Sequence, residues 1–269
     1  MDNFKEDGIA IIPDFASQPE LDDLKNGILS LVEKKFKSID PNFHVSQLGV
    51  TNNDLDSLIN ELRVRNPLFG SQIYSATKKL PQFARFASSL KSEHLARELM
   101  GSKQVAFSDR GWGLRIDYPN DRKFSTPLHQ DYHTQIGSRD GIVIWVPLTD
   151  VSMDMGPLIF WPKSHQLGIL PVKYSTIANG STDLEIEINP TTLAEFRKTQ
   201  VEVRAGTAVV INFLTLHQSG FNLSQRNRFS LLSRWFNFED SAAISRGWHG
   251  GIQDGHIFSN VHPELVRSN

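Results

Sequence analysis

The stretch Pro127-Leu128-His129-Gln130-Asp131-Tyr132-His133 decides how this chain is read, together with His217 and Arg228 far downstream. On a β-strand, residues i and i+2 face one side. The spacing therefore predicts that His129 and Asp131 point together into one cavity. A third group from another strand would complete one face of a metal. His217 follows Arg204-Ala-Gly-Thr-Ala-Val-Val-Ile-Asn-Phe213, a turn feeding an apolar strand, so it is expected near a barrel mouth. Two imidazoles and one carboxylate with positions left open form the ligand set of mononuclear non-haem Fe(II) oxygenases.

Two other histidines compete for the third position. His165 lies in Trp161-Pro-Lys-Ser-His165, but no arginine follows it before Arg197, whereas Arg226 and Arg228 follow His217 closely. His133 would share a face with His129 and Asp131 if the strand ran on. Three consecutive ligands on one strand would crowd one edge of a metal, so His133 is placed beyond the ligands or near substrate. His44, His94, His249, His256 and His262 are assigned no role.

Arg228 opens the run Arg228-Phe-Ser-Leu-Leu-Ser-Arg-Trp235, eleven positions after His217. Alternation puts Arg228, Ser230, Leu232 and Arg234 on one face and Phe229, Leu231, Ser233 and Trp235 on the other. A guanidinium pairs a carboxylate through two parallel hydrogen bonds, a geometry lysine cannot copy. A 2-oxo acid chelated to the metal would meet Arg228 with its far carboxylate. Ser219, two positions after His217, faces the same way and could donate to that carboxylate. The turn Gly220-Phe-Asn-Leu-Ser224 brings the two strands together.

Composition sets the frame. The chain has 269 residues, 39% of them hydrophobic and 22% charged, with a net charge of −2, which is ordinary for a globular protein. Nothing in that balance points to nucleic acid or to an anionic membrane. The absence of cysteine removes disulfides, thiolate metal sites and thiol nucleophiles, and it fits a cytoplasmic location. No apolar run approaches the ~20 residues of a membrane span, and no signal peptide is visible at the N-terminus.

Residues 1–269 are expected to form a single domain, with a helical layer over about 14–100 and a β core over about 104–240. Gly8 to Pro13 reads as a short strand. Ser17 and Glu20 form a capping-box pattern, followed by Leu21, Leu24, Ile28, Leu31, Val32 and Phe36 at helical spacing. A second helix begins near Asn53-Asp54, and one helix or a pair is expected over Ser71 to Met100. Short β-rich runs then appear at Val105–Phe107, Gly141–Leu148, Leu158–Trp161, Val201–Arg204, Thr207–Phe213 and Arg228–Phe238. Many short strands with turn signals predict a β-sandwich or barrel of the jelly-roll kind.

With these residues in view, the chain resembles the phytanoyl-CoA dioxygenase-like family of Fe(II)/2-oxoglutarate oxygenases. The matching stretches are Pro127 to His133, Ile144-Trp-Val-Pro-Leu-Thr-Asp150, Met155-Gly-Pro-Leu158, Pro162-Lys-Ser-His165, Gly206 to Phe213, His217-Gln-Ser-Gly220 and Arg228. The N-terminal run Phe4 to Phe15 also looks like the family's opening strand. The resemblance implies a double-stranded β-helix, a cupin-like jelly roll, preceded by helices. It implies that His129, Asp131 and His217 bind Fe(II), that Arg228 and Ser219 bind 2-oxoglutarate, and that Trp145 lies beside that co-substrate, with O2 as the oxidant. A polar or aromatic group is also expected from the strand before His129, with Arg110, Arg115 and Tyr118 as candidates. Related halogenases lack the carboxylate ligand, so Asp131 favours hydroxylation.

The expected substrate is a small molecule. Arg110, Arg115, Arg122, Lys123 and Arg139 lie near the mouth by sequence position, which would suit an anion or be a solvated rim. Tyr132 and His133 are candidate substrate contacts. Trp112, Tyr132 and Trp235 form either an apolar wall or core. The competing functions are a non-catalytic ligand-binding jelly roll, which would lack turnover, and a metal-dependent isomerase, which would not need Arg228 and Ser219.

Overall fold

Apolar residues three and four apart build the N-terminal layer. The computed structural model describes residues 4–44, 54–108, 111–122, 125–176, 182–250 and 257–267. A short helix α1 (Phe4–Asp7) and strand β1 (Ile9–Ile12) precede the long helix α2 (Gln18–Ile39). The carboxylate of Glu20 accepts the backbone N–H of Ser17 at 2.9 Å, closing the first turn of α2. Leu24, Ile28, Val32 and Phe36 are buried on its inner face. Each such side chain contributes roughly 1.5–3 kcal/mol of burial. Helix α3 (Leu55–Arg65) packs Leu58, Ile59 and Leu62 against the same core.

The region expected to hold one or two helices over Ser71 to Met100 holds three: α4 (Pro67–Thr77), α5 (Pro81–Ala87) and α6 (Leu90–Met100). Local chemistry makes the breaks. Pro67 and Pro81 each open a helix where a missing N–H costs nothing. Ser89 caps α6 by accepting from Ser92 N–H. Among the described residues no helix is long and apolar enough to cross a membrane.

The β-rich part begins with β2 (Val105–Phe107) and β3 (Gly113–Asp117). A single-turn helix α7 (Tyr132–Gln135) follows, then β4 (Ile142–Pro147), β5 (Ile159–Phe160), β6 (Val172–Thr176), β7 (Thr182–Ile186), β8 (Thr199–Gln200), β9 (Ala208–Asn212), β10 (His217–Gln218), β11 (Arg228–Asn237) and β12 (Val266–Arg267). The main sheet runs β1-β9-β4-β11, and both β2 and β3 pair with β11. A second sheet is ordered β10-β5-β8 and a third β12-β6-β7. Pairing in the first two is antiparallel throughout. This sheet-rich arrangement with N-terminal helices is the expected jelly roll.

Alternation sorts the main sheet into two faces. Ile142, Ile144 and Val146 on β4, Ala208 and Val210 on β9, and Phe229, Leu231 and Trp235 on β11 join the helices in one apolar core. Trp145, Val209 and Ile211 face the other way. Arg228, Leu232 and Arg234 share that side of β11 and line a cavity.

Three expectations need correction. The strand predicted through His129 and Asp131 is a single bridge, His129 to His217. At Asp131 the backbone turns helical (φ −63°, ψ −28°) and starts α7, so Tyr132 and His133 follow a helix and His133 leaves the shared face. The strand expected at Val201–Arg204 is reduced to one bridge from Val203 to Val151, with β8 lying just before it. Strand β3 is the strand that the resemblance implied before His129, but it is missing from the β-rich runs read in the sequence, because Gly113 and Arg115 weaken its apolar signal.

The approach to β10 is fixed by two glycines. Gly156 has φ +64°, and a Cβ there would lie 2.5 Å from the carbonyl carbon of Phe221. A Cβ on Gly220 would collide with the Pro157 carbonyl oxygen and lie 2.5 Å from the Gly156 carbonyl carbon. Backbone cannot move aside as a flexible side chain can. Gly220→Ala is therefore expected to destabilise the protein by about 1–3 kcal/mol, read as a lower midpoint in urea denaturation. An unchanged midpoint would show that the loops are not in close contact.

Candidate metal centre

His129 and His217 are held together by their own backbones. His129 N–H donates to His217 O at 3.0 Å, and His217 N–H donates to His129 O at 3.1 Å. The two rings lie 4.1 Å apart between centroids. Each ring also has its Nδ1 against a backbone carbonyl, Pro127 O for His129 (2.8 Å) and Thr215 O for His217 (2.9 Å). A carbonyl oxygen can only accept, so Nδ1 carries the proton in both rings and Nε2 is left to face the cavity. This is how metal-binding imidazoles are oriented.

Asp131 is almost wholly buried. Its Oδ1 accepts from Nε of Arg234 at 2.8 Å, with Nη2 of the same guanidinium also 2.8 Å away. Its Oδ2 has no hydrogen-bond partner and lies 3.2 Å from His217 Nε2. A buried orphan oxygen is costly. A cation between Oδ2 and the two Nε2 atoms would satisfy all three. These ligand atoms lie within 4.8 Å of one another, the only such group of three among the described residues. The donor set therefore fits a metal ion.

The protonation states fit as well. Burial, then the neighbouring His217, pulls the His129 imidazolium down to about 3, so this ring is neutral. Burial pushes the Asp131 carboxyl up, but the charge of Arg234 and contact with His217 outweigh it and hold the group far below the usual carboxylate range. A neutral imidazole and an ionised carboxylate are the forms a metal requires.

A second polar cluster adjoins the first. Arg228, 1% exposed, reaches Asp117 Oδ2 with Nη2 at 3.0 Å and Nε at 3.3 Å, and donates from Nη1 to Met155 O at 3.1 Å. Arg115 grips the other side of Asp117, its Nε at 2.8 Å from Oδ2 and its Nη2 at 2.8 Å from Oδ1. Arg115 also donates to Ser219 Oγ and to Thr126 Oγ1, both at 2.8 Å. Ser219 Oγ further accepts Thr126 N–H at 3.1 Å, which leaves its own hydrogen to donate. Burial raises Asp117, yet hydrogen bonding from Arg115 and the charges of both arginines leave it below its ordinary value. Both clusters open on one cavity of about 80 Å³, and Trp145 forms part of its wall.

The cavity thus brings together His129, Asp131, His217, Arg228, Ser219, Trp145 and Arg115. Other candidates lie elsewhere. Tyr118 packs its ring under the Arg63 guanidinium, 3.4 Å from its centroid, because its strand ends there and turns toward the helices. Tyr132 is fully buried, with its hydroxyl 3.0 Å from His262 Nε2. His133 has Nε2 2.8 Å from Leu170 O and an edge contact with Phe258. Both follow α7, and neither lines this cavity. His165 meets the carbonyl of Lys5 at 3.2 Å, and Trp235 is core. Arg122 lies over the Phe221 ring. Arg110 and Lys123 lie outside the described residues.

Two site residues escaped the sequence reading. Arg234 was placed on the cavity face without a role. Asp117 was not considered. Its signal was weak: an acid two positions after Arg115, on a strand whose partner Arg228 is distant in the chain.

Comparison with known proteins gives this geometry a context. No curated protein sequence matches the chain. The crystal structure of the non-heme alpha ketoglutarate dependent carbocyclase SnoK from nogalamycin biosynthesis is similar, with TM-score 0.57 and 16% identity over 91% of this chain and 88% of that one. The epimerase SnoN, in complex with Fe3+, alpha ketoglutarate and nogalamycin RO, gives 0.56 and 16% over 91% and 86%. EctD from S. alaskensis, with 2-oxoglutarate and 5-hydroxyectoine, gives 0.56 and 18% over 89% and 75%. At these identities the likeness is one of fold. The family model described as phytanoyl-CoA dioxygenase (PhyH) matches residues 4–230, and the chain belongs to that family.

Proposed function

We propose that this protein is an Fe(II)- and 2-oxoglutarate-dependent oxygenase that hydroxylates a small molecule. The observation that carries this reading is the orphan Oδ2 of Asp131 facing His217 Nε2, with the His129 ring beside it and the cavity edge of Arg228 nearby. His129, Asp131 and His217 would hold the metal. When bound, ferrous iron with 2-oxoglutarate and O2 supplies the oxidising power for C–H oxidation, with release of succinate and CO2.

The chain's own work is positioning and exclusion. Arg234 occupies Oδ1 of Asp131 and leaves one oxygen for the metal. Arg228 would orient the far carboxylate of the co-substrate, and Ser219 has a hydroxyl hydrogen to offer it. Val143, Trp145, Leu158 and Ile211 give the cavity an apolar wall, where ion pairing is stronger than in water. Arg115 also borders this space, and it supports a preference for an anionic substrate. The similar solved structures include an epimerase and a carbocyclase. The ligand set alone therefore does not choose the reaction outcome. Hydroxylation or another C–H oxidation is proposed over halogenation because Asp131 keeps the carboxylate that halogenases lack.

The primary test adds Fe(II) and 2-oxoglutarate without oxygen and records the visible metal-to-ligand charge-transfer band. The band is expected in the wild type and absent in Asp131→Ala. Metal-loaded wild type without a band would overturn the assignment. A band without succinate release across a metabolite panel would favour a ligand-binding role instead. Arg228→Lys keeps the charge but loses the fork. Losing a charge-assisted hydrogen bond costs about 1.5–3 kcal/mol, so KM for 2-oxoglutarate should rise roughly ten- to a hundredfold while the metal still binds. An unchanged KM would remove Arg228 from the co-substrate site.

A further inference from the structure

The arginine that would take the co-substrate already has a carboxylate partner inside the protein, Asp117, which does not border the cavity itself. We propose that Asp117 is a positioning residue that sets which 2-oxo acids the site accepts: it holds Arg228 by one edge and, together with Arg115, fixes the charge presented to the ligand. This rests on the reading of the site as a 2-oxo acid site.

A guanidinium has five N–H donors. On Arg228, Nε donates to Asp117 Oδ2, Nη2 lies 3.0 Å from the same oxygen, and Nη1 donates to Met155 O. That leaves hydrogens on Nη1 and Nη2 beyond those three contacts. Arg228 borders the cavity and Asp117 does not, so those hydrogens are the ones a ligand carboxylate would use. Asp117 thus orients the guanidinium through its Nε and Nη2 edge and leaves it donors to spare.

Charge is the second element. A single arginine paired with a single aspartate would present no net charge to an incoming carboxylate. Here Asp117 is shared by two arginines, with Arg115 Nε and Nη2 on its other side at 2.8–3.0 Å. The Arg115–Asp117–Arg228 triad carries one net positive charge. That matches the second carboxylate of a dicarboxylate oxo acid. An oxo acid with an alkyl end gains nothing from that charge and would bind less tightly than the dicarboxylate.

The test compares two ligands on the iron-loaded, oxygen-free protein, each titrated by the charge-transfer band: 2-oxoglutarate, and 2-oxopentanoate, which has the same chain length and no distal carboxylate. Asp117→Asn keeps a hydrogen-bond acceptor for Arg228 and raises the triad to two positive charges. Arg115→Gln lowers it to zero. The expected result is that Asp117→Asn binds 2-oxoglutarate tighter and Arg115→Gln binds it weaker, each by roughly five- to tenfold for a unit charge in a partly screened cavity. Binding of 2-oxopentanoate should stay within twofold in both. Opposite shifts confined to the dicarboxylate are what a merely structural role would not produce. Equal shifts for both ligands, or shifts of the same sign in both variants, would overturn the proposal while leaving the metal and co-substrate reading intact. If Asp117→Asn does not fold, Arg115→Gln decides alone. A wild type with metal and no band overturns both.

Discussion

Two reciprocal backbone hydrogen bonds between His129 and His217 hold the site together. They join the loop before α7 to β10, with Ser219 N–H donating to Thr126 O and Tyr132 N–H to Phe213 O on either side, and they place the two rings side by side. Everything else follows from that bridge. Because the chain turns into α7 directly after it, Asp131 comes round beneath the two rings. Because β10 pairs with β5 and the turn after it is clamped between Gly156 and Gly220, Ser219 emerges beside the imidazoles. The arrangement uses backbone pairing for placement and leaves the side-chain nitrogens unspent.

Around this bridge the protein buries several charges, which is expensive unless each is paired and hydrogen-bonded. Asp131 is answered by Arg234, and Asp117 by Arg115 and Arg228. The cost is met through geometry rather than number. Arg234 brings two nitrogens to a single oxygen, and Arg115 spans both oxygens of Asp117. One cavity residue is treated differently. Among the described buried atoms without a hydrogen-bond partner, Oδ2 of Asp131 is the one on a residue that lines the cavity, and it lies beside the His217 ring. A buried unpartnered oxygen among groups that could share a cation marks where a ligand belongs.

Much of this was legible in the sequence, for uneven reasons. The alternation along Arg228 to Trp235 was read correctly because a ten-residue strand with one apolar face has only one workable register. The convergence of His129 and Asp131 was also anticipated, but by the wrong route. Alternation requires a strand, and Asp131 reaches the site from the first turn of a helix. The same alternation puts His133 near the substrate, whereas α7 carries both it and Tyr132 against the C-terminal residues Phe258 and His262. Asp117 was out of reach for a different reason. Its meaning depends on the register of β3 against β11, and a single sequence carries no local signal for a pairing between strands so far apart.

Strand β11 links the helical core to both acid groups of the site. Its inner residues Phe229, Leu231 and Trp235 anchor the helical layer, and its outer residues Arg228 and Arg234 serve the two acid groups. Both arginines therefore ride on a strand fixed by packing on its other face and by hydrogen bonds to β3, β2 and β4. Sites on rigid elements hold their geometry better than sites on loops. The metal-facing residues come from a bridge and a helix start, but the guanidinium that orients Asp131 comes from the best-anchored strand in the main sheet. The N-terminal helices, which touch none of the chemistry, thus contribute to it by fixing the face opposite the arginines.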